Sequence, residues 1–154
     1  MKDKVKESIL NILKENRLLS LATIGNNSPY ICSAYYVYDK NLNLYIWTDK
    51  NSSHAKNIEK NNKVAVNIAN TSQKWGSELK GLQISGIASK VSLKEIAIPA
   101  SLYLKRYPKA VKSIKNIKDF NTKFNSILYK IKINCIKVLD EKTFGKENYK
   151  EIKC

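Results

Sequence analysis

The sequence is short of the residues on which most catalytic chemistry depends. It has one histidine, His54, and three cysteines, Cys32, Cys135 and Cys154. A single imidazole leaves little from which to build a hydrolytic triad. A zinc site needs more His or Cys ligands than these. An odd number of cysteines without a CxxC pair argues against a disulfide framework and for a reducing, cytoplasmic setting. Cys32 and Cys135 read as small apolar strand residues, and Cys154, the last residue, as exposed. The 13 acidic residues fall mostly in turns and near the termini, and no two stand at acid/base spacing. Neither GxGxxG nor GxxxxGK[ST] occurs. No apolar run reaches the roughly 18 residues of a membrane span. Chemistry, if this chain performs any, is best assigned to a bound cofactor.

Arginine is scarce as well: Arg17 and Arg106 are the only two among 28 basic residues. The net charge of +15 attracts anions in general, but sequence readers of nucleic acid lean on arginine for bidentate contacts. Lysine, asparagine and isoleucine are abundant together, as AT-rich codon usage produces. The charge therefore reads as compositional, with a basic nucleic-acid-binding barrel as the lesser alternative.

What is present is the material of one domain: 154 residues, 43% of them apolar, with no linker, repeat or low-complexity segment. Residues 1–17 carry Val5, Ile9, Ile12 and Leu13 at helical spacing and predict an amphipathic first helix rather than a secretory signal. Leu18–Gly25, Tyr30–Asp39 and Leu44–Thr48 predict three antiparallel strands joined by short turns, the first at Asn26-Asn27-Ser28-Pro29. Ser53–Lys60 predicts a short helix, and Lys63–Ala69 and Leu82–Val91 two further strands. Gly86 inside the latter signals a bulge or a close backbone approach. Residues 92–125 predict a helical insertion broken by Pro99 and Pro108. Its last helix is expected to carry an apolar stripe of Val111, Ile114 and Ile117 beside a solvated face of Lys109, Lys112, Lys115 and Lys118. Ile127–Leu139 alternates cleanly until a slip at Cys135-Ile136, where a bulge is expected. Residues 141–154 form a tail. The fold class is mainly β (α+β): a six-stranded antiparallel barrel with an N-terminal helix and a helical insertion before the last strand.

The segment Tyr45–Ile68 is the most informative. A strand ends in Thr48, a hydroxyl-rich turn carries Ser52, Ser53 and His54, and a helix begins. Free N–H groups at a helix start, with hydroxyls beside them, suit a phosphate; helix capping by Ser52 or Ser53 alone is the simpler explanation of the same residues.

The order and spacing of YYVYD (35–39), YIWT (45–48), SSHAKNIEKNNKVAV (52–66) and LQISGIASKV (82–91) resemble the pyridoxamine-5′-phosphate-oxidase-like FMN-binding split barrels. The segment YKIKINCIKVLDEKTFGKE (129–147) looks like a subgroup of uncharacterised small bacterial members. The resemblance covers about Leu18 to Lys146. It implies a homodimer with FMN in clefts at the interface and the phosphate held by Thr48, Ser53 and His54, with Ser52 in the same turn. The flavin ring would lie along Ile31–Tyr36, where Ser33, Ala34 and Tyr35 offer contacts. Trp47, Trp75 or Tyr35 would stack on it, and Gln83 is a further cofactor-binding candidate. No metal is implied. The family pattern often has Arg or Lys where this chain has Ile31, Tyr36, Ser53 and His54, so the phosphate would meet hydroxyls and one imidazole unless Lys50, Lys56 or Lys80 turns inward. Pyridoxal phosphate-binding residues of the true oxidases have no match. The resemblance implies an FMN-dependent oxidoreductase acting on a small molecule. The alternative is a non-enzymatic protein on the same fold, binding FMN, haem (with His54 as its axial ligand) or a deazaflavin.

Overall fold

The computed structural model describes residues 2–109, 114, 119 and 125–153. In chain order these form α1 (Lys2–Glu15), β1 (Leu18–Gly25), β2 (Ser28–Tyr38), β3 (Leu44–Asp49), α2 (Ser53–Lys60), β4 (Lys63–Ala69), β5 (Lys80–Lys90), α3 (Ala97–Arg106), β6 (Ser126–Asp140), α4 (Glu141–Phe144) and β7 (Tyr149–Lys153).

Every strand pairing is antiparallel. The order is β3-β2-β1-β4-β5-β6-β7, and β3 also pairs with β6, so six strands close into the expected barrel with α3 ahead of the last barrel strand. The β1–β2 turn is tighter than expected. Only Asn26 and Asn27 lie outside the ladder, both at positive φ, 49° and 59°, as the mirror-image two-residue hairpin requires. Ser28 and Pro29 already belong to β2.

β6 explains why the barrel is split. Its first half, Ser126–Ile131, pairs with β3; its second half, Cys135–Leu139, pairs with β7. β7 thus arises within the expected tail, as a short seventh strand that covers the edge β3 has left. On the facing side β2 meets β3 only at Tyr36–Tyr38. Among the described residues no strand pairs with that edge of β2 from Ser28 to Ala34. The barrel therefore gapes beside the outward side chains of β2.

Strand alternation fills the interior with Leu19, Leu21, Tyr36, Ile46, Val66, Ile68, Leu82, Ile84, Ile131 and Val138, and all four stripe residues of α1 are buried with them. Burying one such side chain stabilises the fold by about 1.5–3 kcal/mol. Ser8 Oγ of α1 donates to the buried Asp140 Oδ2 at 2.6 Å, which fixes the helix against the end of β6. The expected bulge is present: Ser85 faces Cys135 while Gly86 faces Ile133, leaving Asn134 as the extra residue, so Ile136 and Val138 return inward. A second apolar cluster, Val37, Tyr45, Val91, Ile96, Ala100, Tyr103 and Leu128, forms where α3 packs on the outside of β2 and β3. The expected stripe of Val111, Ile114 and Ile117 with its lysines lies outside the described residues, apart from Lys109 and Ile114, as does Cys154.

Candidate functional site

The hydroxyl turn forms as a compact cluster. Ser52 caps α2, its Oγ accepting from the Ala55 N–H at 3.3 Å and donating to the Asp49 carbonyl at 2.7 Å. His54 Nε2 lies 2.6 Å from Thr48 Oγ1 and 3.2 Å from Ser52 Oγ. The single proton of Ser52 goes to Asp49, so an Nε2–H shared between Thr48 and Ser52 satisfies both ring contacts at once. The Thr48 hydroxyl then accepts from the ring and has its own proton to offer. Burial lowers the pKa of His54 below its ordinary value, so the ring is neutral near pH 7. The Asp49 carboxylate is turned into the loop, accepting from Asn51 N–H at 2.7 Å and from Asn125 Nδ2 at 3.2 Å.

Consecutive β3 residues point to opposite faces, so Trp47, next to Thr48, faces outward under α3. There Tyr35, Trp47, Tyr103, Arg106, Tyr107, Pro108 and Lys109 line a pocket of about 470 Å³, within the 300–1,000 Å³ common for small-molecule sites. Its aromatic walls meet edge to face: Tyr35 and Tyr107 centroids are 5.4 Å apart, Trp47 and Tyr103 6.4 Å. The Tyr103 hydroxyl sits where β2 and β3 diverge. It accepts from the Trp47 N–H at 2.9 Å and donates toward the carbonyls of Tyr45 and Tyr35 at 3.0 and 3.1 Å. Burial raises its pKa far above the ordinary phenol value, so it stays protonated. Tyr107 Oη reaches the carbonyls of Tyr36 (2.7 Å) and Arg17 (3.1 Å). Arg106 donates through Nη2 to the carbonyls of Leu13 (2.7 Å) and Asn16, which neutralises the C-terminal end of α1.

Of the expected site residues, the structure brings Thr48, Ser52 and His54 together, with Ser53 exposed beside them. Tyr35 and Trp47 share the aromatic pocket. Ser33 is exposed on the outer face of β2, whereas Ala34 packs against the barrel core and offers a ligand only its backbone. Gln83 stands apart: it is exposed on β5, and following the register Ser33↔Ser20↔Asn67↔Gln83 puts two strands between it and β2. Trp75 is fully exposed in the β4–β5 loop and lines no part of the pocket. Ile31 is 69% exposed. Tyr36 points inward, its Oη donating to the carbonyls of Leu13 and Asn16. Neither supplies charge. Lys80 is paired with Glu15 at 3.0 Å, and Lys50 and Lys56 are exposed. Sequence reasoning missed Tyr103, Arg106 and Tyr107. Their spacing, i, i+3 and i+4 just ahead of Pro108, marks one helical face and was the available signal. Among the described residues, no group of three or more His, Cys, Asp or Glu is placed to hold a metal.

A closed antiparallel barrel split along one seam, with a hydroxyl-rich turn at one strand end and an aromatic pocket behind it, defines a split-barrel protein. The chain belongs to the pyridoxamine 5′-phosphate oxidase family, whose model matches residues 5–137. A UPF0306 protein of Campylobacter jejuni is 33% identical over 106 residues, covering 66% of this chain and 72% of its own length. Among solved structures, a heme-binding protein from Mycobacterium smegmatis superposes with a TM-score of 0.76 at 12% identity, covering 96% of this chain and 57% of that one. A putative pyridoxamine 5′-phosphate oxidase from Listeria innocua gives 0.67 at 20% identity, covering 88% and 98%. At these identities the superpositions show the fold.

Proposed function

We propose that this protein is a homodimeric FMN-binding flavoprotein of the oxidoreductase type, working on a small molecule. The observation that carries the proposal is the cluster of Thr48, Ser52 and His54 at the start of α2, beside an open strand edge. The N–H groups of Ser53 and His54 and the Thr48 and Ser53 hydroxyls form a donor set suited to a phosphate. The open edge of β2, with Ser33 and Tyr35 outward, offers backbone groups to a flat ring. Tyr35 and Trp47 add aromatic contact. The donor set fits the group, although it lacks the fixed cations common in the family. Bound flavin would supply the electron transfer; the protein would hold the phosphate, orient the ring and exclude water.

The dimer rests on the same face. Leu18, Ile24, Ile31 and Tyr35 are exposed together on β1 and β2, flanked by Ala22 and Ala65, and the gap beside β2 leaves any ring bound there half uncovered. Haem is the weaker alternative. It requires the one imidazole, and Nε2 of His54 is engaged by Thr48 at 2.6 Å.

The test is the visible spectrum of the purified protein after FMN loading and removal of excess, with the mass measured in solution. A retained band near ~450 nm and a mass of two chains are expected, the band disappearing in Thr48→Glu/Ser53→Glu. A Soret band instead, or a protein that ignores FMN, would remove the proposal.

A further inference from the structure

Arg106 is an unbalanced cation. Its guanidinium lies over the rings of Tyr36, Tyr38 and Tyr107, 5.0, 5.4 and 5.9 Å from their centroids. Nη2 donates to two backbone carbonyls. Nε is buried with no acceptor. Among the described residues the ion pairs are Lys80–Glu15 and Lys90–Glu59, and no carboxylate serves Arg106. A buried donor without an acceptor and a half-buried cation without an anion are both costly, and native structures rarely keep them without a use. This cation forms part of the wall of the 470 Å³ pocket, with Lys109 at its exposed rim and no acidic side chain among the described lining residues. The other described lining residues are Tyr35, Trp47, Tyr103 and Tyr107, with Pro108.

We propose that the pocket is a substrate subsite for a planar aromatic acid: a conjugated ring seated among Tyr35, Trp47, Tyr103 and Tyr107, with one carboxylate turned to Arg106 and Lys109. The aromatic faces accept a flat ring. Both Nη2 bonds of Arg106 go to neutral carbonyls, so its full single charge is left for an anion, and guanidinium–carboxylate bonds are the stronger, charge-assisted kind. As a substrate assignment this rests on the flavin proposal; as a binding site it does not.

Trp75 is distant from the pocket, so Trp75→Phe leaves Trp47 as the sole tryptophan reporter. In that background, 1-naphthoate and its neutral isostere 1-naphthamide are titrated against FMN-loaded protein by Trp47 quenching, with flavin content read from the visible spectrum of the same sample. Naphthoate is expected to bind at least tenfold more tightly than the amide without releasing flavin. Arg106→Gln should abolish that preference. Because Arg106 also anchors α1, Lys109→Gln on the rim serves as the second variant and should reduce the preference severalfold with no change in melting temperature. Equal binding of acid and amide, or expulsion of FMN by naphthoate, would overturn the proposal. A sample that takes up no FMN yet prefers naphthoate would sustain the pocket and remove only its role beside a flavin.

Discussion

The hydroxyl of Tyr103 meets three backbone groups at the point where β2 and β3 part, in place of a ladder bond that the split has removed. Tyr103→Phe keeps the ring and deletes that oxygen. Leaving buried backbone groups without this partner costs about 1–3 kcal/mol, so the urea midpoint should drop with an unchanged m-value. An unmoved midpoint would contradict the role given to the hydroxyl. His54 is the other residue whose chemistry is exposed to test. Its folded pKa lies below the ordinary 6.5 because burial disfavours the charged ring. The unfolded chain then binds the proton more readily, so the stability contributed by neutral His54 is present above about pH 6.5 and is lost as pH falls below it. The urea stability of the wild type relative to His54→Gln should therefore shrink from pH 7 to pH 5. A constant difference would show that the ring does not titrate as its burial requires.

At the scale of elements, the β5–β6 bulge sets the curvature that lets the barrel close. Gly86 sits against it: a Cβ there would lie 2.6 Å from the Lys132 carbonyl oxygen and 3.0 Å from Ile131 Cγ2. Backbone cannot yield as a flexible side-chain tip can, so Gly86→Ala should destabilise by about 1–3 kcal/mol, as overpacking does, read as a lowered melting temperature; an unchanged value would mean the bulge relaxes freely. This device was legible in the sequence, because Gly86 and the slip at Cys135-Ile136 each break a period-two pattern. The hydroxyl turn was legible too, since Thr48 and His54 are six residues apart and strand exit and helix start lie in one local segment. The aromatic pocket was not. Tyr103 meets Trp47 and Tyr35 across 56 and 68 residues, and Arg106 meets Leu13 across 93. Periodicity shows that a helix has an apolar face but not which strands receive it. β7 escaped for a different reason: YKEIK is charged and largely exposed, and only its pairing with β6 makes it a strand.

At the scale of the molecule, the barrel's two ends of interest are joined by one strand. β3 delivers Thr48 to the anion-suited turn and Trp47 to the aromatic pocket in consecutive positions, and the gap beside β2 lies next to both. The net charge of +15 favours the approach of any anion without selecting one; under the flavin proposal, selection falls to the neutral donors of the turn. That makes the phosphate the part of the ligand on which the account depends. The most direct measurement is a parallel titration of the purified protein with FMN and with riboflavin, which differ by that phosphate alone, followed by flavin fluorescence. The account predicts that FMN binds at least tenfold more tightly, about 1.4 kcal/mol, and that Thr48→Val removes most of the difference. Equal affinity for the two, or a difference that survives the loss of the Thr48 hydroxyl, would contradict the phosphate site.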